Sequence, residues 1–149
     1  MDDSKLNDYA TRFCQTLGYV TFLRTRAGAV ARPLVDAIPE FLDVALHHEQ
    51  CEVFIGPGGW PCAYVIWAWL APDVEQRLAV HNKHWLHEME WNESRTAWVL
   101  DCVVLDGQMH RIRRELRQRL PQAEGINWIR YTAEGQVSKV VRSRRRSEA

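Results

Sequence analysis

No stretch of this chain is apolar for long enough to cross a bilayer. The longest such run, Cys62 to Ala71, has ten residues where about twenty are needed. No signal peptide is visible either, since Met1-Asp2-Asp3-Ser4 opens an acidic amphipathic segment. Excess charge of one sign is missing, with 19 basic side chains against 19 acidic ones. That balance, with no recognition motif, argues against a nucleic-acid-binding protein. Cysteine pairs at C-x-x-C spacing are absent too. Cys14, Cys51, Cys62 and Cys102 are scattered in apolar surroundings, so they are expected to be core thiols rather than disulfide or zinc ligands. A reducing, cytoplasmic compartment follows as the expectation.

What is present suits a single folded domain. The 149 residues are 46% apolar and 26% charged, close to globular averages. Charge is unevenly placed. Residues 1–104 carry 8 basic and 14 acidic side chains, and residues 105–149 carry 11 and 5. Such a lopsided distribution suits a docking surface for an anionic partner.

Periodicity gives the elements. Leu6, Tyr9, Ala10, Phe13 and Leu17 recur at helical spacing, and Gly18 is placed to end that helix. Tyr19 to Leu23, rich in β-branched and aromatic residues, reads as a short strand, and Thr25 to Arg32 as a loop. A helix is expected from Pro33 to His48, with a kink at Pro39. Cys51–Ile55 and Cys62–Leu70 flank Gly56-Pro57-Gly58-Gly59 and form a hairpin whose second strand, aromatic on both faces, belongs inside a sheet. Pro72 opens a helix reaching to about His87, and Ala97–Leu105 is a further strand. An arginine-rich helix covers Met109 to Leu120, and strands Asn127–Thr132 and Gln136–Val141 follow. The expected fold is therefore one α+β domain over residues 1–141 with a mixed sheet, followed by a basic mobile tail, 142–149.

Within the strand Ala97–Leu105, Asp101 is the single charge among Val99, Leu100, Cys102, Val103 and Val104. An ionised carboxylate is almost never buried alone, because its desolvation costs several kcal/mol. Asp101 thus faces solvent, pairs with an arginine, or lines a crevice where a strand meets the following helix. Composition leaves these open. Cys102 points to the opposite face from Asp101 unless a bulge intervenes.

Several segments, taken together, resemble the RTX toxin-activating lysine acyltransferases, the haemolysin-activator type. They are Leu17-Gly18-Tyr19-Val20 with Leu23, then Ile38-Pro39 and Gln50, then Pro61-x-Ala63-Tyr64 with Trp67-Ala68 and Leu70. Trp91, Trp98, Asp101 and Gly107 complete the collinear set, which covers about residues 17 to 142. The resemblance implies the acetyltransferase-like (GNAT) fold, with a mainly antiparallel mixed sheet flanked by helices. It implies transfer of a fatty acyl group from acyl carrier protein to a lysine of a protein or peptide, no resident cofactor, and a homodimer.

The resemblance makes Asp101 the catalytic carboxylate, partnered by a histidine from the loop after the first strand. Here the sequence departs from the family, because Thr25 to Pro33 contains no histidine. His110, in the first turn of the arginine-rich helix, is the substitute candidate, with a surface helix histidine as the plainer reading. His47 and His48 suit the end of a helix. His81, His84 and His87 recur at i, i+3, i+6, which is not the i, i+4 spacing that gathers two ligands on one helix face, so no metal is expected.

For the donor, Asp106-Gly107-Gln108-Met109-His110-Arg111 lacks the glycine-rich turn with which CoA-using acetyltransferases cradle pyrophosphate. Arg111, Arg113, Arg114 and Arg117, with Arg119, form either a solvated basic face or a docking face for acidic acyl carrier protein. The readings that remain are a toxin activator, a maturation acyltransferase for a biosynthetic precursor peptide, and a catalytically weakened relative kept as a carrier or substrate binding module.

Overall fold

The computed structural model describes residues 3–28, 38–79, 86–105, 107–131 and 137–144. Within them, five strands form one sheet in the order β1-β2-β3-β4-β5, comprising β1 (Cys51–Ile55), β2 (Pro61–Trp69), β3 (Thr96–Val104), β4 (Gly125–Tyr131) and β5 (Val137–Arg144). All neighbours are antiparallel except β3 and β4, which run parallel across the connection through α4 (Met109–Arg119). Helices α1 (Asp3–Arg26), α2 (Ile38–His47) and α3 (Pro72–Ala79) complete an α+β fold consistent with the GNAT type.

Alternation along the strands builds two cores. Tyr64, Ile66, Ala68 and Leu70 of the β2 segment, with Trp98 and Leu100 of β3, meet Val20 and Leu23 of α1 and Leu42 of α2. Ala63, Val65, Trp67 and Trp69, with Ala97 and Val99, meet Ile112, Leu116 and Leu120 beneath α4. Most of the motif residues that carry the family resemblance, Trp91 and Trp98 among them, lie in these cores.

Helix α1 departs from expectation. Gly18 does not end it, and Tyr19–Leu23 is helical. A glycine inside a helix costs about 1 kcal/mol relative to alanine. Burying Val20 and Leu23, 1% and 0% exposed, returns roughly 2 kcal/mol each, so packing outweighs local preference. The helix after Pro72 is shorter than expected, for Leu86 and His87 are non-helical and His87 caps a 3-10 turn at Glu88–Trp91. At the other end of the chain β5 runs on to Arg144, three residues past the expected end. Of the cysteines only Cys51 is buried; Cys14 is exposed, contrary to a core role, and Cys62 and Cys102 are half-buried. His81, His84, Asp106 and most of the loop expected at Thr25 to Arg32 lie outside the described residues.

Candidate active site

A break in alternation positions Asp101. Between β2 and β3, Ile66 pairs with Asp101 but Trp67 pairs with Val99, so β3 carries one extra residue. This β-bulge sends Leu100 and Asp101 to the same face, towards α1. Cys102 returns to the α4 face and does not share a site with Asp101.

There Asp101 meets Arg24 and Tyr64, which come from distant parts of the chain. Arg24 Nη1 donates to Asp101 Oδ2 at 2.9 Å, and the Tyr64 hydroxyl donates to the same oxygen at 2.6 Å. Arg24 Nη1 also donates to the Tyr64 oxygen at 3.0 Å. Both charged side chains are nearly closed off, 7% exposed for Arg24 and 4% for Asp101. Among the described residues Arg24 Nη2 is buried without a hydrogen-bond partner. The cluster is thus an ion pair inside the sheet–helix core.

Its electrostatics favour that arrangement. Desolvation pulls the Arg24 pKa down, but Asp101 and Tyr64 outweigh it and leave it raised. Burial, and then the neighbouring carboxylate, push the Tyr64 hydroxyl well above its ordinary range, so it remains a donor. Of the three placements open for Asp101, the structure realises the arginine pair. It does so beside a gap in the sheet, because pairing between the parallel strands ends at Val99–Trp128. Beyond it β3 continues to Val104 and β4 to Tyr131, and the two are not joined.

Sequence reasoning missed Arg24 and Tyr64 as partners of Asp101. The signal for Arg24 was available: Leu17, Val20 and Arg24 share a helix face once α1 is carried through Gly18. The 77-residue separation from Asp101 was not legible.

The candidates on α4 lie apart from this cluster. His110 is exposed in the first turn of a helix that packs on the opposite face of the sheet, and the structure does not bring it to Asp101. Arg111 is engaged locally, with Nε 3.1 Å from Glu115 Oε1 and Nη2 3.7 Å from Cys62 Sγ. Arg113 is half-buried with its guanidinium carbon 5.4 Å from the Trp128 ring centroid. Arg119 pairs with Glu52 and covers Phe54. Arg114 and Arg117 stay exposed, with no ion pair among the described residues.

The collinear motifs have a counterpart among known families. The profile of the RTX toxin acyltransferase family matches residues 9–144. The chain belongs to the RTX toxin acyltransferase family. No individual curated protein matches it. As an RTX toxin acyltransferase by family, the chain falls among enzymes that acylate a protein substrate. No helix among its described residues is long and apolar enough to cross a membrane.

Proposed function

We propose that this chain is an acyl carrier protein-dependent N-acyltransferase that moves a fatty acyl group onto a lysine of a protein or peptide in the cytoplasm. The observation that carries the reading is the family match across residues 9–144. The unjoined edges of β3 and β4 beyond Val99–Trp128 support it. Strands that part in this way leave room for an extended amide-bearing chain, and the pantetheine arm of a carrier protein is such a chain. In this reading the donor is a co-substrate and no resident cofactor is needed.

The reaction forms a C–N bond and breaks a C–S bond. The lysine nitrogen attacks the thioester carbonyl carbon, the thiol leaves, and the proton lost by the amine returns to the thiolate or to solvent. A free lysine with pKa near 10.4 must first shed its ammonium proton. The thioester oxygen needs donors for its developing charge, such as backbone N–H groups at a strand edge or bulge. Asp101 is the carboxylate that attracts the ammonium and accepts its proton, directly or through water. Because Arg24 and Tyr64 both donate to Oδ2, proton acceptance at that oxygen competes with two hydrogen bonds. Arg114 and Arg117 form the exposed part of the carrier-docking face, joined at its edge by Arg111 and Arg113.

The closed Arg24–Asp101 pair, together with the histidine-free segment Thr25–Pro33, favours one second reading. In it the chain binds carrier or substrate without turnover. Incubation with long-chain acyl carrier protein and a lysine peptide, followed by mass spectrometry, separates the two. Transfer by the natural chain that is lost in an Asp101→Asn variant still folded by circular dichroism supports the enzyme, and transfer that survives it removes the role given to Asp101. Binding of the carrier without acylated peptide supports the binding module.

A further inference from the structure

At the end of the sheet where β2 begins and β3 finishes, an open groove of about 390 Å³ is lined by Phe22, Arg26, Pro57, Trp60, Cys62 and Leu105. Its volume lies within the range of small-molecule sites, roughly 300–1,000 Å³. Trp60 forms one wall and is 65% exposed, an unusual state for the largest apolar side chain. It is held there by the turn before it, where Gly58 and Gly59 adopt φ of 75° and 80°. Its ring stacks on Phe22 at 5.4 Å between centroids, so the exposed surface is ordered. The groove continues past Trp60 over Tyr19. A cation stands at its rim, the Arg26 guanidinium carbon lying 5.5 Å from the Phe22 ring centroid.

The geometry points to this groove as the subsite for the acyl chain of the donor, with Trp60 as the wall that reads chain length. The inference rests on the acyltransferase reading above and deepens it. Two observations select this occupant. First, the groove adjoins the Asp101 cluster: Cys62 precedes Tyr64 by two residues on β2, roughly 7 Å of strand, and Arg26 follows Arg24 by two on α1, roughly 3 Å of helix. Second, apart from Arg26 at its mouth the side chains that line the groove are aromatic or apolar, which suits a hydrocarbon chain whose thioester carbonyl lies towards the cation. Burial of methylenes against Trp60 and Phe22 supplies about 0.8 kcal/mol each, so affinity rises with chain length until the groove is filled.

The test uses the whole chain and acyl carrier protein loaded with an 18-carbon acyl group brominated at its middle carbons, the unbrominated carrier serving as control. Bromine quenches tryptophan fluorescence only at close range. The expected result is quenching in the natural chain that is largely lost in Trp60→Phe. Trp60→Ala, at a position too exposed to unfold the domain, is expected to weaken binding of the 18-carbon donor about tenfold and that of an 8-carbon donor much less. Binding of the brominated donor without quenching, or quenching undiminished in Trp60→Phe, overturns the groove assignment and leaves the acyltransferase reading standing. If no acylated carrier binds at all, both fall together.

Discussion

Replacing Arg24 by methionine tests the buried ion pair directly. The change keeps a long apolar stem in the α1–sheet interface but removes the guanidinium that donates to Asp101. With side chains only 7% and 4% exposed, the pair is shielded from the solvent screening that makes surface pairs worth under about 1 kcal/mol. Removing one member of a buried pair costs about 3–5 kcal/mol, a large fraction of the 5–15 kcal/mol that holds a domain folded. For a urea slope near 2 kcal/mol/M this moves the unfolding midpoint down by roughly 2 M. Asp101→Leu should cost a similar amount, because it strands the arginine instead. The double variant Arg24→Met, Asp101→Leu leaves neither charge and should be more stable than either single one. Urea titrations of the four proteins, followed by circular dichroism, supply the cycle. Single-variant losses below about 1 kcal/mol, or a double variant equal to the sum of the singles, would refute the claim that these charges depend on each other.

Further predictions follow from the same contacts. Tyr64→Phe removes one donor from a charged acceptor and should destabilise by about 1.5–3 kcal/mol in the same assay. Tyrosine ionisation in alkali should be split: Tyr9, raised to about 12 by burial and by Asp43, titrates late, and Tyr64 titrates only on unfolding. Since both folded values lie above the unfolded value near 10, the folded state holds more protons, and stability should fall as pH rises from about 10 towards 12. Absorbance at the phenolate band against pH, with and without urea, checks this, and full titration of all tyrosines at pH 10 in the folded protein would contradict it. Alkylation at pH 8 should modify exposed Cys14 first and spare Cys51, whose thiol is raised to about 12 by burial and then by Glu52. Peptide mass mapping over time reads the order. Finally, Arg114→Glu with Arg117→Glu should weaken carrier binding at low salt without altering the fold, and unchanged binding would remove α4 from the docking face.

Periodicity made much of the architecture readable. The hairpin, β3, α4 and β4 appear within one or two residues of expectation, because alternation and turn chemistry agree there. The reading failed where local and tertiary preferences conflict. Gly18 followed by Tyr19–Leu23 is a helix stop and a strand by propensity, but the burial of Val20 and Leu23 against the sheet turns it into helix. Asp101 stands out in the sequence because a charge within an apolar strand needs an explanation. Its partners do not, since Arg24 and Tyr64 reach it across 77 and 37 residues through a bulge that no alternation rule announces. Among the described tryptophans, Trp67, Trp69, Trp91, Trp98 and Trp128 are buried, and Trp60 is carried outward by its turn.

The extra residue in β3 also bears on how distant relatives are compared. It shifts the phase of the strand by one, so that Trp98 and Val103 share a face although five positions separate them. An alignment that slides hydrophobic positions into register without a gap here will set Asp101 opposite a residue from the other face. A relative that lost the extra residue would return to plain alternation, and its aspartate, directly after the residue that faces α4, would still point towards α1.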